Sequence, residues 1–168
     1  MNNILKYIIA FVALIVVQLL IFNNIEFSGY VNPYVYVMFI VILPVSIPSW
    51  FLLILSFITG LVIDVFSGTM GVHAFATVMA GYMRPWILSL NVTAETAAGP
   101  DTSPSSQISG IRWFFVYTVT LVFIHHFTLF YIELFSLRSF FHTMLRVLLS
   151  TAFTTFFIIL FDVLRPRK

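Results

Sequence analysis

Apolar residues fill this chain in runs, and the polar and proline positions between them mark out six segments, at about 5–22, 34–47, 50–66, 72–88, 112–132 and 140–161. Each is read as a membrane-crossing helix, since a straight span needs about 20 predominantly apolar residues. The second segment is the exception. Its apolar part, Tyr34 to Leu43, is bracketed by Pro33, Pro44 and Pro48, and proline in a membrane helix is tolerated only where neighbours satisfy the freed carbonyl. It is expected to be irregular, either a short tilted helix broken at Pro44 or a re-entrant piece, and the charge balance below favours crossing.

The pattern is tightest between Gly60 and Arg84, where the third segment turns back into the fourth through Ser67-Gly68-Thr69-Met70-Gly71. Gly68 and Gly71 permit a reversal that a residue with a Cβ resists. Ser56, Gly60, Asp64 and Gly68 recur every four residues along one side of the third helix, and Ala76, Ala80 and Arg84 form a similar stripe on the fourth; small side chains at this spacing let membrane helices approach closely. The first run fits a signal peptide or a retained span, and the absence of a small-x-small site after Phe22 favours the span. Gln18, polar within that run, is expected to hydrogen-bond a neighbouring helix. Residues 89–110 are rich in Ser, Thr, Pro and Gly and read as a flexible loop.

Composition turns this pattern into a class. Of 168 residues 61% are hydrophobic and 8% charged, against about 25% charged in a soluble domain, which makes the chain a single all-α, polytopic membrane domain over 1–168. A net charge of +2 from scattered basic residues excludes a nucleic-acid role. With no cysteine, thiolate chemistry and Cys metal sites are excluded. Lys6, Arg84, Arg112 and the tail Arg165-Pro166-Arg167-Lys168 fall on one side of a six-span arrangement, with Glu26, Glu133 and Arg138 on the other. The positive-inside rule then puts both termini and the loop in the cytoplasm.

Ionisable groups concentrate toward the opposite side. Asp64 lies inside an apolar run, at a cost of about +2.5 to +3.5 kcal/mol on insertion scales, and His73 sits at similar depth across the hairpin, where the two could pair. His126 and Glu133 share one face of the fifth helix, while Arg138, His142 and Arg146 share one face of the sixth. Arg146 cannot shed its proton and is expected to be neutralised by Asp64 or Glu133. No metal, cofactor or catalytic residue is expected: His125 and His126 point about 100° apart on a helix, so at most one can face a given site, and no nucleophile motif is present. A structural ion network is the expected role of these groups, and a proton or solute relay is the alternative chemistry.

The Gly60-Leu61-Val62-Ile63-Asp64 run, its Ser67-Gly68 turn, Gly71 and the Ala-rich helix that follows resemble the signature of the rod shape-determining MreD family. The likeness extends to the six apolar segments, to Asn32-Pro33 before the second, and to the basic tail. The resemblance implies a non-catalytic bacterial inner-membrane scaffold for lateral peptidoglycan synthesis, binding MreC directly and MreB, RodA and a class B penicillin-binding transpeptidase through the complex. The family is also similar in architecture to the substrate-binding S components of vitamin transporters, which keeps a small-molecule-binding transporter subunit open as the alternative. A polar-lined cavity separates the two, since a scaffold can be packed solid.

Overall fold

The computed structural model describes residues 3–24, 31–90, 102–134 and 140–165, and among these it is all-helical, with no β-strand. Its helices are α1 (Asn3–Leu20), α2 (Met38–Ile42), α3 (Ser49–Ser67), α4 (Val72–Ser89), α5 (Ser106–Ser109), α6 (Ile111–Leu134) and α7 (Phe140–Leu164). Four segments are long and apolar enough to cross a membrane: Ile4–Asn24, which extends α1, together with α3, α6 and α7. Of the six segments expected to cross, the second and fourth do not meet this measure, for different reasons.

The fourth segment is long enough at 18 residues but less apolar. It carries His73, Thr77 and Arg84, and all three are buried, because α4 is packed between α3 and α6. The face of α4 turned to protein carries polar groups that its neighbours can satisfy, while Phe75, Tyr82 and Trp86 are exposed on the other.

The second segment forms a single 3-10 turn, Val35–Val37, followed by the five-residue α2. Leu43 ends it in an extended conformation (φ −59°, ψ 151°), as the residue before a proline must to avoid the ring of Pro44. Every residue from Val35 to Leu43 is buried. Irregular backbone in such a place needs partners from elsewhere, and side chains of four helices provide them. On one end, Gln18 of α1 accepts from Tyr36 N (3.3 Å) and donates to the Pro33 carbonyl (3.1 Å), while Ser150 and Thr154 of α7 accept from Asn32 N and Tyr34 N at 3.0 Å each. At the other, Tyr117 of α6 donates to Val41 O (3.1 Å), and Arg84 of α4 donates to the carbonyls of Leu43 and Pro44. Gln18 thus holds this segment rather than a neighbouring long helix.

The α3–α4 hairpin follows the sequence reading closely. Gly68 caps α3 at φ 67° and Gly71 precedes α4 at φ 82°, both left-handed positions that favour glycine. A Cβ on Gly60 would run into the backbone of Ala74 and the carbonyl of His73, and one on Gly81 would meet the Ser56 hydroxyl. The stripe of Ser56, Gly60 and Asp64 is therefore the seam with α4. Ala76 and Ala80 are fully buried elsewhere: Ala76 packs with Leu129, Phe130 and Val147, so its small side chain serves the contact with α6 and α7.

Of the stretch expected to be a flexible loop, residues 91–101 lie outside the described residues, as do 135–139 with Arg138, Glu26 and the tail from Pro166. The described remainder is tied down. Thr102 O accepts from Val45 N (3.2 Å), Ser103 bonds Tyr7 (2.7 Å), and Ser105 caps α5. Asp162, buried in the last turns of α7, accepts from both the backbone N–H (2.8 Å) and the hydroxyl (2.5 Å) of Ser106.

Candidate functional site

At the hairpin end of the bundle, α3 presents Asp64 to the start of α4, where the first N–H groups of a helix have no partner within it. Asp64 Oδ1 accepts from the Thr69 hydroxyl (2.5 Å) and His73 N (3.1 Å), and Oδ2 accepts from Ala74 N (2.8 Å). The carboxylate, 2% exposed, acts as a cap reaching across the turn, favoured further by the positive end of the helix dipole. His73 Nδ1 lies 3.1 Å from the same Oδ1. The expected pairing of Asp64 with His73 is thus present, and the network sets the tautomer: Nδ1 carries the proton toward the carboxylate, leaving Nε2 as an acceptor.

Arg146 turns elsewhere. It pairs with Glu133 at 3.1 Å, lies 4.1 Å from the centre of the Phe130 ring, and faces the Asn32 amide, whose oxygen, oriented toward it, accepts from Nε (3.0 Å) and Nη2 (2.9 Å). Of the two carboxylates open to Arg146 on sequence grounds, Glu133 is the partner. The Glu133 side chain is 46% exposed, so the pair contributes little stability. His142 is exposed on α7.

Between the two constellations lies a cavity of about 620 Å³. Gln18 and Asn23 from the end of α1, Asn32 to Tyr34 from the second segment, Ser67, Thr69 and His73 from the hairpin, and Glu133 and Arg146 from α6 and α7 line it. Five parts of the chain converge on one hollow, which Phe22, Val72 and Leu129 also line, of a size that ordinarily takes a small molecule. Behind it, toward the bundle interior, the rings of Tyr34 and Tyr36 fill the space between α4 and α6. The Tyr36 hydroxyl bonds His125 Nε2 (2.7 Å), and His126 bonds Val122 O (2.8 Å) and the Thr154 hydroxyl (3.3 Å).

His125 and His126 are both fully buried, and both rings contact Tyr34, with centroids 6.1 and 5.5 Å away. Their hydrogen bonds diverge, His125 toward Tyr36 and His126 toward Thr154 of α7. Arg84 is misplaced by sequence reasoning. Read as a cytoplasmic flanking charge, it is 1% exposed, with Nε on the Tyr117 hydroxyl at 2.8 Å. The signal was the proline bracket, since broken backbone at Leu43-Pro44 requires a donor and arginine offers a fork of them.

The geometry makes a specific claim on Asp64. Asp64→Asn would set an NH₂ group against one of the N–H donors, costing about 1–3 kcal/mol for the orphaned buried group. Combined with Arg146→Gln it should be additive within about 0.5 kcal/mol, because the two residues share no partner. Combined with Thr69→Ala it should couple by more than that. Thermal unfolding of singles and doubles checks this, and strong coupling between Asp64 and Arg146 would refute the separation of the two constellations.

Comparison of the chain with protein-family models, with curated proteins and with solved structures finds no match, so what it does has to be argued from these residues.

Proposed function

We propose that this chain is a non-catalytic membrane scaffold of the bacterial cell-elongation complex, crossing the inner membrane six times with both termini cytoplasmic and binding MreC by helix packing. MreB, RodA and a class B penicillin-binding transpeptidase are reached through the complex. One observation carries the reading: four residues of the run that resembles the MreD family each have a distinct duty in the α3–α4 hairpin. Gly60 admits the backbone of α4, Asp64 caps it, and Gly68 and Gly71 turn the chain. The shape of this hairpin is what we propose the partner recognises.

Supporting the six crossings, the second segment touches Gln18, Ser150 and Thr154 at one end and Arg84 and Tyr117 at the other. Tyr7 and Ser103, which bond each other, place the start of α1 beside the described part of the loop. The test is co-purification with MreC from membranes together with rescue of rod shape in cells lacking the scaffold. Because the chain has no cysteine, Met70→Cys at the fully exposed hairpin tip also reports topology: an impermeant thiol reagent should label it from the periplasm and leave Ile108→Cys unlabelled. Failure to retain MreC sinks the scaffold, and equal labelling of both cysteines sinks the topology.

The polar cavity favours a second reading, a small-molecule-binding membrane subunit, because convergent polar groups around an open volume are what a ligand site requires and a packed scaffold does not.

A further inference from the structure

On the second reading, in which the cavity holds a small molecule, the chemistry of that molecule turns on how Arg146 is moored. Asn32, its amide oxygen turned to the guanidinium, accepts from Nε (3.0 Å) and Nη2 (2.9 Å), the centre of the Phe130 ring lies 4.1 Å away, and Glu133 accepts from Nη1 (3.1 Å). A guanidinium has five N–H donors, and these bonds use one on each nitrogen. Nη1 and Nη2 therefore each keep one N–H without an acceptor among the described residues, on a side chain that is 22% exposed and lines the cavity. The mooring is uneven. Asn32 and the Phe130 ring fix the plane of the fork, whereas the half-exposed Glu133 belongs to a pair of little worth and can turn to water. Asp64 is no rival for the fork, because it is buried and its oxygens accept from Thr69, His73 N and Ala74 N. Beside the guanidinium, the half-buried Tyr34 and Val72 pack against the cluster that contains Phe130.

We propose that the cavity is a binding site for a small organic carboxylate, which takes Nη1 and Nη2 of Arg146 in exchange for Glu133 and lays an uncharged body beside Tyr34 and Val72. Two carboxylate oxygens on a planar fork form two parallel N–H···O bonds, the stronger kind of charge-assisted contact, where Glu133 gives up only one. Glu133 in turn loses little, since water replaces its partner. A phosphate monoester is the poorer fit, because it carries about two negative charges against one guanidinium, with the Glu133 carboxylate still nearby.

The full-length protein in nanodiscs is titrated by saturation-transfer NMR with four probes that share a benzene ring: benzoate, phenyl phosphate, the neutral benzamide and the cation benzylamine, with the signal from empty nanodiscs subtracted. The expected result is a benzoate signal several-fold above the others and lost in Arg146→Gln. Arg146→Lys, which keeps the charge but replaces the fork with a point donor, takes its place if the glutamine variant does not fold, and should weaken benzoate several-fold. Glu133→Gln removes the competing carboxylate and should tighten benzoate several-fold, a gain that apolar contact with the ring alone would not give. Phenyl phosphate, benzamide or benzylamine matching benzoate overturns the carboxylate class and leaves small-molecule binding standing. Benzoate binding that is indifferent to the Arg146 variant, or no tighter in Glu133→Gln, overturns the exchange at Arg146 and likewise leaves that reading standing. Silence from all four probes overturns the site and the second reading with it.

Discussion

Gly60→Ala should strip most of the folded protein from the membrane, although alanine is the better helix former by about 1 kcal/mol. The added Cβ has nowhere to go, because it meets the backbone of Ala74 and the carbonyl of His73, neither of which can rotate aside. Helices α3 and α4 would have to separate, taking Asp64 away from Ala74 N and uncapping α4. The cost should reach or exceed the upper end of the ~1–3 kcal/mol typical of overpacking. Gly81→Ala is the control across the same seam. There the new Cβ meets the Ser56 hydroxyl, a side chain that can turn, and the loss should be much smaller. Folded yield by size-exclusion chromatography and the unfolding midpoint of both variants decide the matter, and equal effects would show that the seam is not limited by backbone contact.

Arg84→Leu should cost nearly as much for an electrostatic reason. Arg84 satisfies the carbonyls of Leu43 and Pro44 and holds the Tyr117 hydroxyl, itself bonded to Val41 O. Leucine fills part of the volume but leaves buried acceptors unpaired, at about 1–3 kcal/mol each, against which the relief of burying a cation is a partial offset. A net loss of about 2–4 kcal/mol is expected. Arg84→Lys keeps the charge but presents one point donor in place of a planar fork, and should recover only part of the stability. A leucine variant as stable as the parent would mean that these carbonyls find other partners.

How much of this was legible in the sequence depended on whether the signal was local. The α3–α4 hairpin was, because glycines at positive φ and a carboxylate one turn before a helix end are neighbours in the chain. So were the irregularity of the second segment, set by Pro33 and Pro44, and the pairing of Asp64 with His73. What escaped was contact between distant parts. A hydropathy reading does not see that one face of α4 is buried between α3 and α6, where its polar side chains lie. It assigns Arg84 to the surface because the carbonyls that need it are 40 residues away. The polar cavity was illegible as a cavity, since its lining is assembled from the end of α1, the second segment, the hairpin, α6 and α7, and no spacing along the chain announces that convergence.

The dependence of the second segment on partners far along the chain also bears on biogenesis. Asn32 and Tyr34 reach residues of α7 that lie 118 and 120 positions later, so these backbone groups lack their final partners when the segment leaves the ribosome. With one five-residue helix it is too short to be handed to lipid as an independent span. Gln18 of α1 can hold it in the meantime, and it is expected to wait until the last helix arrives. Synthesis halted before α7 should therefore leave a nascent chain that insertion machinery or a membrane chaperone still grips, and completion of α7 is the event that frees it.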